Sequence, residues 1–388
     1  MIRCLLLLAL LSTTALGQGV DPLRNLSGTT PATGASPWVR SGSGPLTFFH
    51  GFDVHVTHLT QTGPAEQETA TFSTNWLGAG AQFDLGERAF VLARGRVSLE
   101  PYTIEENGYP QFFQYVPEEG LIGRMRGNDL VGEAAVQFGY RITNASLLSL
   151  YGGLVGQPAF GAAPAQLRAS GIDFAEAPFA WEMQESVHDS TSVITAGWTT
   201  RLFTIEGSVF HDTVEAFNET EFETGGIDSR AARFTLTPTP NLAIQVSRAE
   251  LGEGELLQRD MTSASLSYGG PWAAVTAQWT SRDHPELPGA ESETAYGIEV
   301  ALRASRNTFL VRAEHLDRPA GFPLAPAGPG VEEATHYTAG YIFDFIPAPA
   351  RYKLGVGVNI DYRTKTHDLE DVYGHKPQGI YAFVRLRT

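Results

Sequence analysis

The chain is poor in cysteine. Its only one, Cys4, stands near the start of 388 residues. That excludes a disulfide framework and any thiolate metal centre. Cys4 also precedes the apolar stretch Leu5 to Leu11, so it is not a lipid-attachment cysteine following one. Long apolar runs are absent beyond the first residues. A spanning helix needs roughly 18 consecutive apolar residues, and no later stretch approaches that. Positive charge is scarce as well. The formal net charge is −16, which argues against nucleic acid and against docking onto anionic lipid. No histidine pair has the spacing of a strong zinc motif. Neither a metal nor a cofactor is expected.

The start reads "MIRCLLLLALLSTTALGQ". A basic residue, an apolar core and a small-residue cleavage site make a secretory signal peptide over residues 1–17. Residues 18–44 hold Gly, Ser, Thr and Pro and little that is apolar apart from Trp38. They are expected to be a flexible periplasmic lead-in. Residues 45–388 form the remaining unit.

That unit is built from alternating segments. In "RYKLGVGVNIDYR", Tyr352, Leu354, Val356, Val358, Ile360 and Tyr362 share one face. Lys353, Asn359, Asp361 and Arg363 share the other. Successive side chains of a strand point to opposite sides, so this strand has an apolar and a wet face. Aliphatics flanked by aromatics suit a strand crossing a bilayer. A soluble sandwich strand would alternate too, and the connections separate the two. Sixteen such segments follow one another, and fourteen or eighteen fit almost as well. Their connections alternate between long polar loops and tight turns with Gly, Pro or Asn. Outer-membrane barrels have long extracellular loops and short periplasmic turns. The expected fold is therefore all-β: a transmembrane antiparallel up-and-down barrel of about 16 strands in the bacterial outer membrane. Its last residues, "AFVRLRT", lack the terminal aromatic that many such barrels carry.

Several strings, "NGYPQFFQ", "LSLYGGLVGQPAFG", "HDSTSVITAG", "IEGSVF", "LTPTPNLAIQVS" and "MTSASLSY", resemble an uncharacterised family of bacterial outer-membrane proteins. The resemblance covers most of the chain after the signal peptide. It implies the barrel and no established activity. Relatives carry His-Pro-His-Asp where this chain has Arg126, Gly127, Asn128 and Asp129, and a histidine in place of Ser192. Any metal site formed by those histidines is dismantled here.

The wet faces carry charges of both signs. The pore-lining candidates are Asp53, His55, Arg94, Arg96, Glu133, Gln137, Arg141, Glu206, Asp212, Arg233, Glu299, Arg303, Arg312, Glu314, Lys353, Asp361 and Arg363. Charges on the face away from lipid must be hydrated or paired. Sixteen strands enclose an aqueous channel, whereas eight are filled by side chains. The leading expectation is a porin-like channel for small hydrophilic solutes or ions. The alternative is a non-conducting structural barrel plugged by loops. Two long loops, 101–128 and 157–189, are candidates to fold inward or to lid the mouth. Their candidate constriction residues are Glu118, Glu119, Arg124, Arg126, Asp129, Trp181, His188 and Asp189. Arg124 and Arg126 are expected opposite Glu118, Glu119 or Glu133.

"HDST" at 188–191 raises a third class, a lipid hydrolase. Neighbours on a regular strand cannot converge as a triad, so no catalytic residue is expected. Expected partners are outer-membrane lipid and lipopolysaccharide, small hydrophilic solutes and, by analogy with porins of this size, two further copies in a homotrimer.

Overall fold

The structure, a computed structural model, describes residues 38–42, 44–62, 67–105, 108–116, 121–125, 127–212, 220, 225–252, 258–285, 292–320, 328–347, 350, 352–365 and 378–388. Their strands are, in chain order, β1 (Val39–Ser41), β2 (Leu46–Thr62), β3 (Gln67–Leu85), β4 (Ala89–Val97), β5 (Tyr109–Val116), β6 (Leu121–Met125), β7 (Val131–Thr143), β8 (Ser146–Gly156), β9 (Ser190–Thr200), β10 (Phe203–His211), β11 (Ser229–Thr239), β12 (Leu242–Leu251), β13 (Arg259–Gly269), β14 (Ala273–Asp283), β15 (Glu293–Ala304), β16 (Asn307–Ala320), β17 (Gly328–Asp344), β18 (Lys353–Lys365) and β19 (Gln378–Arg387).

All but β1, β5 and β6 form the wall. Each wall strand pairs antiparallel with its chain neighbour, and β19 pairs with β2, so the sheet closes as a 16-strand barrel. Closure removes every exposed edge, which a membrane requires. The alternation works as anticipated. In β19, Ile380, Ala382, Val384 and Leu386 point out while Tyr381, Phe383, Arg385 and Arg387 point in and are buried. Aromatics ring the outer face. Phe52 stacks on Tyr352 with ring centres 6.1 Å apart near the end of the barrel that holds the short turns. Tyr296 stacks on His315 at 4.7 Å toward the other end.

Two expectations about chain segments change. The lead-in is ordered from Trp38, because β1 pairs with β2 through Val39 to His50 and Ser41 to Phe48. Trp38 stands inside the barrel against Trp76, 5.6 Å between ring centres. It lies over Gly78, where an added Cβ would sit 2.3 Å from the Trp38 ring. The Pro/Gly-rich segment after Asp317 is also partly strand. Asp317 pairs with Glu333 and Arg318 with Glu332, extending β16 past His315 and β17 back ahead of Thr335.

β4 is, with β10, the shortest stave of the wall. β4 spans nine residues between β3 of nineteen and β7 of thirteen. Above Val97 the chain leaves the ladder and makes a single helical turn, Glu100–Thr103. The buried Glu100 carboxylate then bridges the notch. It accepts from Asn75 N at 2.8 Å and from Asn128 N and Nδ2 at 2.6 Å each.

Candidate functional site

The inner wall from β9 to β14 is lined by small hydroxyls: Thr195, Ser208, Ser247, Ser263, Ser265 and Thr276 among them, all buried. Short side chains leave room, and residues 157–189 fill it. This loop leaves β8, turns inward and stays inside the barrel until β9 begins. Phe160, Arg168, Asp173, Phe179 and Ala180 are each 1% exposed or less. The loop is pinned strand by strand. Ala159 N donates to Ser208 Oγ at 2.8 Å and Gly161 N to Ser247 Oγ at 2.9 Å. Phe179 N and Ala180 N donate to the two oxygens of Glu314 at 2.9 and 3.2 Å. These bonds answer the backbone polar groups that a buried loop must satisfy.

Three charged anchors hold it. Arg168 forks onto both oxygens of Glu299, with Nη2 to Oε2 at 3.1 Å, and its Nη1 reaches Glu185 at 2.6 Å. Ser170 adds a hydroxyl to Glu299 at 2.7 Å. Glu176 accepts from Asn359 Nδ2 at 2.7 Å, beside Phe174, whose ring carries the Arg312 guanidinium at 3.9 Å. Asp173 meets Arg385, Arg303 Nη2 at 2.7 Å and Arg387 Nη1 at 2.6 Å. Burial alone would raise the Asp173 carboxyl. Arg387, Arg385, Arg303 and Lys353 outweigh it and hold the group well below the usual range. Burial raises Glu176 and Glu185, against the pull of Arg312 and Arg168 respectively. It pushes His188 down to about 3, helped by Arg233, Arg168 and Arg96.

The pore-lining candidates all face inward, and most are spoken for. Arg94 pairs with Glu133 at 2.6 Å, Arg233 with Glu206 at 2.8 Å, and Asp212 with Arg259. Arg312 reaches Glu299 at 3.3 Å, His336 stands 3.2 Å from Asp361, and Asp361 also holds Arg363. Asp53 and His55 are neighbours at 3.4 Å. Arg96 donates to Gly132 O at 2.9 Å. Gln137 is buried. Arg141 lies apart at the turn end, 3.8 Å from Asp84 and over Phe90.

Of the constriction candidates, Trp181 and His188 belong to the inward loop. Asp189 ends it, and its side chain lies outside the described residues, as do Glu118, Glu119 and Arg126. Glu133 does not face the 101–128 loop as expected, since Arg94 and the Tyr151 hydroxyl (3.1 Å) take it. Arg124 sits in β6, opposite Pro110 of β5, and Asp129 is half-buried beside β7. The 101–128 loop backs the inner one: Gln111 Nε2 donates to Ala177 O at 3.1 Å, and Ala177 N to the Tyr109 hydroxyl at 3.3 Å. Ser190 Oγ donates to Val187 O at 2.8 Å, so the "HDST" hydroxyl is turned to the backbone.

Sequence reasoning missed Asp173, Glu176, Glu185, Arg168, Arg385 and Arg387. The two last arginines had a signal: they fall on the inward parity of β19. The loop residues had none, because nothing local separates a loop that enters the barrel from one that covers it. Where loop meets wall, the described interior leaves a cavity of about 60 Å³, bordered by Asp53, Trp76, Glu176 and His188.

Neither a family model nor a curated protein matches the chain. Solved structures do share its fold. An anion-selective porin from Comamonas acidovorans superposes with TM-score 0.56 at 12% identity, over 88% of this chain and 99% of that one. OmpT with loop L8 deleted, an outer-membrane protein of Vibrio cholerae, gives 0.55 at 9% identity, over 89% and 100%. OmpF of Salmonella typhi, in complex with daunomycin, gives 0.55 at 8%, over 90% and 100%.

Proposed function

We propose that this outer-membrane barrel is a porin-type channel for small hydrophilic solutes or ions, held nearly closed by its own inner loop. One observation carries the reading: a wall wide enough for an aqueous channel faces, with charges of both signs, a loop pinned across the lumen. Sixteen strands without that loop enclose water. With it, the space between loop and wall beside Asp53, Trp76, Glu176 and His188 is a cavity of about 60 Å³. Solutes then pass along the charged seam between loop and wall, or when the loop shifts. The chemistry is passive, with no residue in a covalent role.

Planar-bilayer recording tests this. The full-length protein is expected to conduct weakly. A variant with residues 158–187 replaced by a short Gly-Ser linker is expected to conduct several-fold more. A folded barrel that conducts nothing in either form would reject the channel. A second reading, a sealed structural barrel, is favoured by the depth of burial inside. It predicts silence from the intact protein and conductance from the deletion alone.

Assembly as a homotrimer belongs to the same proposal. The outer face of β3, β4, β7 and β8 is smooth, with Ala79, Ala81, Ala93, Gly95, Ala134 and Gly152 bordering a shallow apolar groove. Small residues let walls approach closely within a membrane. OmpT of Vibrio cholerae in its trimer form shares the fold at TM-score 0.50, with 10% identity over 88% of this chain and 99% of that one. Cross-linking in detergent that yields only monomers would remove this part. Elsewhere the apolar outer belt meets membrane lipid and lipopolysaccharide.

A further inference from the structure

At the turn end of the barrel the wall carries more cation than carboxylate. Arg303 is one residue from the end of β15, Lys353 opens β18, and Arg385 and Arg387 close β19. Lys353 stands directly across the ladder from Arg387, and Gly355 from Arg385. Among the described residues, Asp173, Asp344 and Asp53 are the carboxylates that answer these four cations. Asp344 is drawn to Arg385, and Asp53 sits beside Arg387 with its other neighbour His55. The centre of the cluster is left to Asp173, which arrives on the tip of the inner loop and is fully buried.

One carboxylate cannot satisfy that many donors. Its Oδ1 is shared between Arg385 and Arg387, and its Oδ2 takes Arg303. Arg303 Nη1 and Arg385 Nε are buried with no acceptor, and Arg387 Nη1, though 2.6 Å from Asp173 Oδ1, is out of hydrogen-bonding geometry with it. Guanidinium forks suit tetrahedral oxyanions, which bring more oxygens and more charge than a carboxylate. Buried donors without acceptors are costly, so a fuller ligand would be favoured there.

We infer that Asp173 is a tethered stand-in on an oxyanion site, and that Arg303, Lys353, Arg385 and Arg387 take a free phosphate-class anion from the periplasmic side when the loop carboxylate withdraws. Lys353 is only half-buried and gives the approach. The anion and the loop tip compete for one place, so binding loosens the loop. The inference does not require the barrel to conduct.

The test is inorganic phosphate titrated into the full-length protein folded in micelles, read by calorimetry, with ionic strength held constant by chloride. Asp173→Asn is expected to bind phosphate at least tenfold tighter than wild type. Adding Arg387→Gln to that variant is expected to abolish the gain. Equal binding by wild type and Asp173→Asn, or a gain that survives Arg387→Gln, would overturn the inference. Should Asp173→Asn lose heat-modifiable gel mobility, the wild-type background decides. Lys353→Gln there must weaken phosphate binding at least threefold, and unchanged binding overturns the site. Conductance enters none of these readings, so a failed channel and a failed anion site are told apart.

Discussion

Glu299→Gln should undock the inner loop while leaving the barrel standing. Glu299 accepts both prongs of Arg168, the Ser170 hydroxyl and Arg312 at 3.3 Å. Removing its charge leaves the buried Arg168 with Glu185 as its one carboxylate beside Ala163 O, and Arg312 with Glu314 at 4.0 Å beside Glu176 O. Breaking a buried pair on one side costs about 3–5 kcal/mol. Glutamine keeps the size and one acceptor, so about 2–3 kcal/mol is expected, roughly 30- to 160-fold in the docking equilibrium. The loop supplies its own reporter. Arg168 is the only Lys or Arg between residues 157 and 189. Trypsin cuts there only when the loop is out, and with fast reclosing the nicking rate follows the open fraction. Limited proteolysis in micelles, read by mass spectrometry, should show cleavage after Arg168 faster by that factor. Glu250→Gln is the control. Its partner Arg230 has a side chain 70% exposed, and such surface pairs contribute little. Equal nicking of Glu299→Gln and wild type would refute the idea that Glu299 anchors the loop.

Acid should also loosen the loop, through His188. Its buried imidazole titrates at about 3 instead of 6.5, so the docked form binds fewer protons than the released form. Docking therefore loses stability as pH falls below about 6.5, by roughly 1.4 kcal/mol per pH unit until about pH 3. Glu176 and Glu185, raised by burial, work the other way, and Asp173 adds its loss only below its ordinary 3.8. The histidine is isolated by comparing wild type with His188→Gln. Single-channel records between pH 7 and pH 4 should show acid opening that is smaller in the variant, and identical pH profiles would dismiss His188 as the cause. Glu100→Ala should weaken the wall itself. It strips a charged acceptor from three donors, each such bond contributing about 1.5–3 kcal/mol. Urea unfolding in detergent should shift by several kcal/mol, and a shift under 1 kcal/mol would mean the notch closes without it.

The strands were legible because alternation is local. A period of two is written into consecutive residues, so Tyr352 to Tyr362 declare their lipid face without reference to any neighbour. Pairings were less so. Glu133 is expected across the lumen from Arg124 or Arg126, whereas its partner Arg94 lies diagonally across the β4–β7 ladder, two residues along from Arg96, the register partner of Glu133. β19 blurred its own pattern, because Tyr381 and Phe383 put aromatics on the inward face above Arg385 and Arg387. The path of the inner loop was hidden for a different reason. One of its anchors joins Asp173 to Arg385, 212 residues away, and that distance closes only when sixteen strands have found their places.

The last strand thus does two jobs at once. β19 zips to β2, with Thr388 N reaching back to Phe52 O at 3.1 Å, and the same strand presents Arg385 and Arg387 to the loop tip. The same few residues finish both the cylinder and its stopper. Until they arrive, Asp173 has lost two of its arginines and the first strand has an open edge. A half-built chain therefore stays unstoppered for as long as it stays unclosed. Because contacts so distant in sequence form slowly, completion of the seam and quieting of the lumen should arrive as a single late event in folding.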